Sequence, residues 1–360
     1  MTGLYSIRGR GATFNPPNRF EPMEVIPDGD TLDADLAEDE LPLPRTRFLR
    51  DTTRTILASN DSPDVGFSKS INPYRGCEHG CIYCFARPFH EYIGFSAGVD
   101  FETKILVKPD APQLLRNELM KKSYAPETIV ISGVTDCYQP IERKLRITRG
   151  CLEVLAEFRN PVGIITKNHL VTRDIDVLSE LAAHDAVSVN LSITTLDEKL
   201  QRVMEPRTSI PKRRLLAVEK LAAAGIPVGI MVAPIIPAIT DEEMGDILKA
   251  ARDAGAKWAG YVVLRLPHAV APLFEDWLTH HFPDRKEKVL NRVRAMRGGK
   301  LYDSTWGERA RGTGEMADQI GALFRAARKK AGYDETADRY ALSTAAFRRP
   351  HRHGQLGLFE

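Results

Sequence analysis

The sequence has no long apolar run, few cysteines and almost no net charge. No apolar stretch approaches the roughly 20 residues that a membrane-spanning helix needs, so we expect no membrane partner. Five cysteines in 360 residues are too few, and odd in number, for a secreted fold held by disulfides. Since no secretory leader is evident either, we expect a cytoplasmic protein in a reducing environment.

A formal net charge of +2 excludes a uniformly basic surface, but the charge is unevenly distributed along the chain. Residues 285–352 hold 17 Lys and Arg against 8 Asp and Glu, whereas residues 28–40 hold seven acids and no base. The basic region is compatible with a nucleic-acid partner and equally with a solvated helical face.

Three of the five cysteines lie within eight residues, at Cys77, Cys81 and Cys84. Three thiolates on one loop can hold three irons of a [4Fe–4S] cluster, whereas electron-carrying clusters usually have four cysteines. The fourth iron then keeps an open position, which is where a substrate can bind a metal. A zinc site that adds His79 or His90 to the same cysteines is the alternative.

Short apolar runs alternate with helix-period segments through the middle of the chain. Six runs have the length and composition of parallel strands buried on both faces: residues 68–74, 128–132, 162–166, 187–193, 227–232 and 260–266. Helices are predicted between them at residues 111–121, 148–158, 171–183, 212–224 and 241–254. This alternation predicts an α/β fold, a partial (β/α)6 TIM-like barrel with right-handed crossovers.

Four regions follow from these patterns. Residues 1–62 are predicted to be an irregular, partly disordered N-terminal extension, and residues 63–268 the barrel. Residues 269–346 are predicted to be a helical C-terminal extension, with helices at 270–281, 285–297 and 315–331. Residues 347–360 are predicted to be a flexible tail.

With these motifs in place, the sequence resembles the radical S-adenosylmethionine (SAM) superfamily, and within it the spore photoproduct lyase-like, or DNA repair photolyase-like, branch. The resemblance covers roughly residues 68–265. It rests on Cys77, Cys81 and Cys84, on Thr135 and Asp136, on Thr166 and Lys167, on Ser192, on Glu205 and Pro206, and on the run from Gly229 through Ala233 and Pro234. The Arg8-Gly-Arg-Gly opening and the run from Asn72 to Cys77 are similar to an uncharacterised bacterial subgroup of that branch.

The resemblance implies one [4Fe–4S] cluster on Cys77, Cys81 and Cys84, with SAM bound at the open iron. One electron, from a flavodoxin- or ferredoxin-type reductant, would cleave SAM to methionine and a 5′-deoxyadenosyl radical that abstracts a substrate hydrogen atom. SAM is expected to contact residues on the loops that follow the strands, where barrel active sites lie. These candidates are Tyr83, Thr135, Asp136, Lys167, Ser192, Arg207 and Ala233. Lys167 or Arg207 would hold the SAM carboxylate, because each carries a fixed positive charge.

Cys137 and Tyr138 are the candidate catalytic residues. The resembled lyase branch carries a hydrogen-donating cysteine at the end of the second strand, where this sequence has Gly133. Cys137 lies four residues further on and could serve instead. The alternative is that Cys137 is a small buried core residue, as free cysteines often are, and Cys151 is expected in the core.

The last residues resemble the peptide by which bacterial proteins bind the sliding clamp. Gln355 and Leu356 are followed after one spacer by Leu358 and Phe359. Two adjacent apolar anchors on a mobile tail suit capture by a pocket. The alternative is that the two anchors dock on the parent domain.

The sequence therefore predicts a radical SAM enzyme that acts on nucleic acid, with DNA as the expected partner and repair or damage processing as the expected role. Two alternatives stay open. The same enzyme class could modify RNA, a peptide or a small molecule. A zinc-bearing, clamp-associated binding protein without catalysis is the other.

Overall fold

The structure is a computed structural model that describes residues 7–21, 44–333 and 342–350. Its strands are β1 (Arg47–Arg50), β2 (Leu57–Ser59), β3 (Lys69–Ile71), β4 (Tyr74–Arg75), β5 (Lys104–Val107), β6 (Ile129–Ile131), β7 (Val162–Thr166), β8 (Val187–Ser192), β9 (Val228–Ile235) and β10 (Ala259–Val263). Its helices are α1 (Val99–Thr103), α2 (Ala111–Leu119), α3 (Glu142–Leu145), α4 (Ile147–Phe158), α5 (Ile175–Ala182), α6 (Glu198–Met204), α7 (Pro211–Ala223), α8 (Met244–Asp253), α9 (Val270–His281), α10 (Lys286–Ala295) and α11 (Glu315–Lys330). Short 3-10 turns lie at Arg87–Ile93, His169–Asp174, Asp241–Glu243 and Pro283–Arg285.

The main sheet has seven strands in the order β10-β9-β8-β7-β6-β3-β2. From β3 to β10 the neighbours are parallel and follow one another along the chain, while β2 joins the edge antiparallel to β3. This arrangement confirms the predicted partial TIM-like barrel. Since the strands are parallel, their C-terminal ends meet at one rim, to which the loops after the strands bring their side chains.

Burial on both faces explains why the strands are apolar runs rather than alternating ones. All three residues of β6 are buried, as are the first three of β7 and of β8. Helix α4 packs Leu152, Leu155 and Phe158 into the same core, and Cys151 lies with them as predicted. Burial of each large apolar side chain stabilises the fold by roughly 1.5–3 kcal/mol. The core therefore holds the strand ends, and with them the loops at the rim, in fixed positions.

A proline divides the predicted first strand, residues 68–74, into two. Strand β3 ends at Ile71, and Pro73 has no N–H with which to continue a ladder. Strand β4 then leaves the main sheet and pairs antiparallel with β5, in a second sheet of order β1-β5-β4. The sequence analysis did not predict this sheet. The cysteine loop therefore follows β4 and not the barrel strand itself.

The N-terminal extension is more ordered than the sequence analysis predicted. Strands β1 and β2 both lie within residues 1–62, and β1 is parallel to β5. The description of this region as irregular was wrong for these two segments, which are short strands: β2 pairs with the nearby β3, and β1 pairs with the distant β5. The acidic run at residues 28–40 lies outside the described residues.

The predicted C-terminal helices correspond to α9, α10 and α11. Helix α11 packs on the barrel through Phe324, whose ring lies 4.5 Å from that of Tyr261. Phe347 at the start of the predicted tail packs on Tyr124 and Phe158. In the part of the chain that the structure describes, no helix is both long enough and apolar enough to cross a bilayer.

Candidate functional site

Cys77, Cys81 and Cys84 lie on a tight loop at the rim. Cys77 and Cys81 are buried and Cys84 is partly buried. The Cys77 N–H donates to the Phe101 carbonyl over 2.9 Å, and the Cys84 N–H donates to the Cys81 carbonyl over 3.2 Å. Gly80 turns the loop at φ 68°, a conformation that side chains disfavour. The loop is therefore a defined backbone turn that directs three thiols into one region.

The electrostatics of the thiols show that they share this region. Burial raises the pKa of all three, and after Asp136 the thiols of Cys81 and Cys84 are the groups that raise the pKa of Cys77. Metal ligation requires thiolates. Because burial disfavours three negative charges at this position, the positive charge of a bound metal would stabilise the three thiolates. Within the described ranges no three His, Cys, Asp or Glu side chains converge as ligands of a single ion. Three thiols on one loop fit a [4Fe–4S] cluster, in which each cysteine binds a separate iron.

A buried ion pair fastens the cysteine loop to the barrel. Arg87 and Glu102 are both fully buried and their charged groups lie 2.5 Å apart. Arg87 also donates to the Cys81 carbonyl over 3.0 Å and to the Gly80 carbonyl over 3.3 Å. Sequence reasoning missed this pair, since an arginine ten residues from Cys77 carries no motif of its own.

The N-terminal arm, residues 7–21, closes over the same loop. The N–H groups of Gly11 and Ala12 donate to the Glu102 carboxylate over 3.0 and 2.9 Å. A Cβ on Gly11 would lie only 1.8 Å from the Gly80 carbonyl oxygen. The Arg8-Gly-Arg-Gly opening is thus the segment that packs on the cysteine loop, which explains its glycine at position 11.

Replacing Gly11 by alanine should loosen the arm. The added methyl must displace the arm or the Gly80 backbone, and overpacking of this kind costs about 1–3 kcal/mol. We expect a lower melting temperature and a lower iron content after reconstitution. Gly245→Ala is the matched control, because no atom lies within 4 Å of a Cβ at Gly245. Equal behaviour of the two variants would show that the arm does not support the loop.

Glu78 and His79, between the first two cysteines, are tied to neighbouring loops. The Glu78 carboxylate pairs with Arg207 over 3.1 Å. Its backbone N–H donates to the Gln139 side chain over 2.9 Å. His79 Nδ1 lies 3.4 Å from Asp136, and its Nε2 lies 3.2 Å from the Asn168 amide. The residues between the cysteines thus position the loop.

Two of the predicted SAM contacts, Asp136 and Thr135, are occupied by bonds within the protein. Asp136 accepts bonds from the Thr166 hydroxyl and the Lys167 N–H, each over 2.8 Å, and faces His79. Burial acts to raise the pKa of Asp136, but His79 and these hydrogen bonds lower it to about 2. The Thr135 hydroxyl donates to the Tyr74 carbonyl. Asp136 thus ties the loop after β6 to the end of β7, and Thr135 ties the same loop to β4.

Lys167, Tyr83 and Ala233 lie close together at the rim, and their contact with SAM stays a prediction. The Lys167 ammonium lies 3.4 Å from the Ala233 carbonyl and 5.8 Å from the Tyr83 ring centroid. Only one of its three donors has a partner among the described residues, so it can bind an anionic ligand group. Ser192 is buried, and its carbonyl accepts a bond from Arg214. The Arg207 guanidinium pairs with Glu78, and its contact with SAM likewise stays a prediction.

A buried carboxylate lies under this rim. Glu205 pairs with Arg214, accepts a bond from the Tyr83 hydroxyl and accepts one from Thr194 over 2.8 Å. Glu205 and Arg214 are almost completely buried. Glu205 belongs to the motifs that carry the resemblance, without an assigned role there. No sequence motif marks Arg214, which lies 22 residues beyond Ser192 at the end of β8. Together they hold Tyr83, the residue before Cys84.

Cys137 and Tyr138, the predicted catalytic residues, are completely buried. The Cys137 backbone is bonded to the Ser132 and Thr148 hydroxyls, and its side chain belongs to the main core. The Tyr138 hydroxyl donates to Asp174 over 3.1 Å. The catalytic role of these residues stays a prediction, and the structure gives them the surroundings of core residues.

Replacing Cys137 by alanine should leave SAM cleavage and product chemistry unchanged. The substitution removes one buried sulfur, so we expect a loss of stability of about 1 kcal/mol, as for other small core deletions. Product analysis by mass spectrometry checks this expectation. An altered product with normal SAM cleavage would instead establish Cys137 as the hydrogen donor.

Three cysteines on one loop lie at the rim of a six-stranded parallel half-barrel, and Lys167 has unused donors at the same rim. This arrangement can carry a cluster with one open iron. The chain matches the radical SAM superfamily over residues 71–251, about half its length. It belongs to the radical SAM superfamily, whose members use a [4Fe–4S] cluster and SAM.

Relatives and solved structures extend this finding. An uncharacterised protein of Mycobacterium tuberculosis is 37% identical over 220 residues, which cover 61% of this chain and 65% of the relative. An uncharacterised protein of Methanocaldococcus jannaschii is 31% identical over 184 residues, covering 51% of this chain and 66% of that protein. The chain thus spans just under two thirds of the length of these relatives.

Among solved structures, spore photoproduct lyase complexed with dinucleoside spore photoproduct has a TM-score of 0.57, with 16% identity and 79% of each chain covered. A mutant of spore photoproduct lyase with bound AdoMet and the same photoproduct has a TM-score of 0.56, with 15% identity and 79% of each chain covered. At this level of identity the likeness shows the fold.

Proposed function

We propose that this protein is a radical SAM enzyme that acts on nucleic acid, with DNA repair or damage processing as its role. The observation that carries the catalytic part is the set of three thiols on one loop, two buried and one partly buried, at the rim that also holds Lys167. When bound, the cluster and SAM supply a radical that removes a hydrogen atom from the substrate. The rest of the site belongs to the protein's own residues.

Each residue group has a distinct task in this proposal. Cys77, Cys81 and Cys84 hold the cluster. Lys167 binds the SAM carboxylate, because its ammonium has unused donors at the rim. The buried Glu205 fixes Tyr83 against the cysteine loop, and the buried core beneath the rim keeps water away from the reacting groups. We take the rim, at the C-terminal ends of the parallel strands, as the face that receives the substrate.

DNA as substrate is the finer part of the proposal. It is supported by the fold shared with spore photoproduct lyase, whose structure holds a dinucleoside photoproduct, and by the basic C-terminal region. Modification of RNA, a peptide or a small molecule is the alternative. A cytoplasmic location and a flavodoxin- or ferredoxin-type reductant follow from the need to keep the cysteines and the cluster reduced.

Anaerobic reconstitution tests the proposal. We expect a brown protein with about four irons per chain that forms 5′-deoxyadenosine from SAM under a chemical reductant. Bound zinc with no SAM cleavage would establish the non-catalytic alternative. Salt-dependent binding of damaged and undamaged DNA strands, compared with RNA of the same sequence, tests the substrate class.

Sliding-clamp binding is a separate proposal. It rests on Gln355, Leu356, Leu358 and Phe359, which lie outside the described residues. A labelled peptide of the last residues, titrated with clamp in a polarisation assay, tests it. Absence of binding at tens of micromolar would contradict it.

A further inference from the structure

A cavity of about 250 Å³ opens at the rim beside the cysteine loop. It is formed by segments that follow β6, β7 and β8, so it lies at the same end of the barrel as the cysteine loop. Its volume is several times the roughly 30 Å³ that one water occupies in the liquid. The polar lining contains two guanidinium groups and no carboxylate: Arg143, Asn168, Arg207, Thr208 and Ser209.

The hydroxyl groups in the lining already have their hydrogen bonds. The Thr208 hydroxyl donates to the Glu205 carbonyl and accepts bonds from Gln201 and Arg214. The Ser209 hydroxyl donates to Asn168 and accepts the His169 N–H. The Thr208 and Ser209 hydroxyls therefore have no free proton for a ligand, and other residues of the lining must supply the donors.

The free donors belong to the two arginines. The exposed side chain of Arg143 makes no hydrogen bond or ion pair with any residue that the structure describes. Arg207 uses Nη1 for Glu78 and for Thr46, over 3.1 and 3.3 Å, which leaves Nη2 and Nε without a partner among the described residues. Two guanidinium groups with unused donors match a phosphate group, which accepts paired N–H bonds.

Basic side chains continue on both sides of the cavity. Lys144 and Arg146 are exposed on and after α3, and Lys212 and Arg213 are exposed at the start of α7. None of the four makes an ion pair with another described residue. A band of this kind suits an anionic polymer better than a single small phosphate compound, because a polymer brings charges to each side.

We propose that this cavity binds a backbone phosphate of the nucleic-acid substrate and thereby sets the strand at the cysteine loop. The inference rests on the proposed function for the identity of the ligand. The link to the loop is short. Arg207 pairs with Glu78, the neighbour of Cys77, and its N–H donates to the His79 carbonyl over 3.2 Å. A phosphate on Arg207 is thus one side chain away from the loop that carries the thiols.

Arg143→Gln in the reconstituted full chain is the test, since Arg143 has no structural bond to lose. The probe is a labelled single DNA strand of about 12 nucleotides, within the ~4–16 nucleotides of known single-strand sites. We expect binding about tenfold weaker, and a slope of log affinity against log salt smaller by about 0.7, the value for one single-strand phosphate. Lys122→Gln removes one exposed charge in the segment that leads into the N-terminal end of β6, opposite the rim, and should bind as the unmodified protein does.

A second probe, inorganic pyrophosphate measured by calorimetry, separates the site from its ligand. Loss of pyrophosphate binding in Arg143→Gln, with no strand binding by the unmodified protein, would keep the anion site and overturn the nucleic-acid ligand. Strand binding that Arg143→Gln and Lys122→Gln leave equally intact would overturn the site while the proposed function stands. An unmodified protein that binds neither probe would overturn both parts of the inference.

Discussion

Replacing Cys81 by alanine should abolish cluster assembly and SAM cleavage. Two thiols remain, and they can hold only two of the irons, so the cluster loses a protein ligand that nothing in the described rim replaces. We expect iron to fall from about four per chain to near zero and 5′-deoxyadenosine formation to drop below detection, at least 10³-fold. Iron analysis, the visible absorption spectrum and chromatography of the nucleoside product measure these changes.

Cys151→Ala is the matched control for this experiment. Cys151 is buried like Cys81, and its replacement by alanine likewise removes one sulfur. It lies, however, on α4 among Leu152, Leu155 and Phe158. The control should keep its cluster and its SAM cleavage, with a modest loss of stability. A Cys81→Ala protein that still assembles a cluster and cleaves SAM would show that the three-cysteine loop is not the cluster site.

Replacing Arg214 by methionine should cause a large loss of stability. Methionine keeps much of the length of the side chain but leaves the Glu205 carboxylate buried without its cation. Breaking a buried pair in this way costs about 3–5 kcal/mol. Urea unfolding, with the midpoint and the slope both fitted, measures the change. Tyr83 would lose its fixed partner, so iron incorporation should fall as well.

Two comparisons isolate the buried pair. The double variant Arg214→Met, Glu205→Gln should recover part of the lost stability, because it removes the unpaired charge. Lys249→Met breaks an ion pair on α8 whose side chains are 70% and 62% exposed, and it should change the free energy of unfolding by less than about 1 kcal/mol. Equal losses from Arg214→Met and Lys249→Met would contradict a specific role for the pair.

The pair also makes stability depend on pH. Burial acts to raise the pKa of Glu205, but Arg214, Lys167 and hydrogen bonds from Arg214 and Tyr83 lower it from 4.5 to about 2. A lowered folded-state pKa contributes stability that is fully present above pH 4.5 and is lost as the pH falls toward 2. Glu205→Gln should therefore flatten the fall in stability over that window, in unfolding curves recorded at successive pH values.

The strands and the thiols could be predicted from the sequence because their signals are local. Each parallel strand is a short apolar run, and burial on both faces demands that composition wherever the strand stands in the sheet. The spacing of Cys77, Cys81 and Cys84 is likewise a local property, and it indicated a three-ligand site before any fold was known. Lys167 could be placed at the rim because parallel strands end on one side.

Only the tertiary structure decided which side chains face one another. Arg207, predicted to bind SAM, points to Glu78 because its loop crosses the cysteine loop. Cys137 lies in the main core, where its backbone is bonded to the Ser132 and Thr148 hydroxyls. The second sheet and the contact of Gly11 with Gly80 join segments that are far apart in the chain, and no local pattern marks such partners. Apolar periodicity and ligand spacing are local properties of the sequence. The ion-pair partner and the burial of a particular side chain depend instead on which distant segments pack against it.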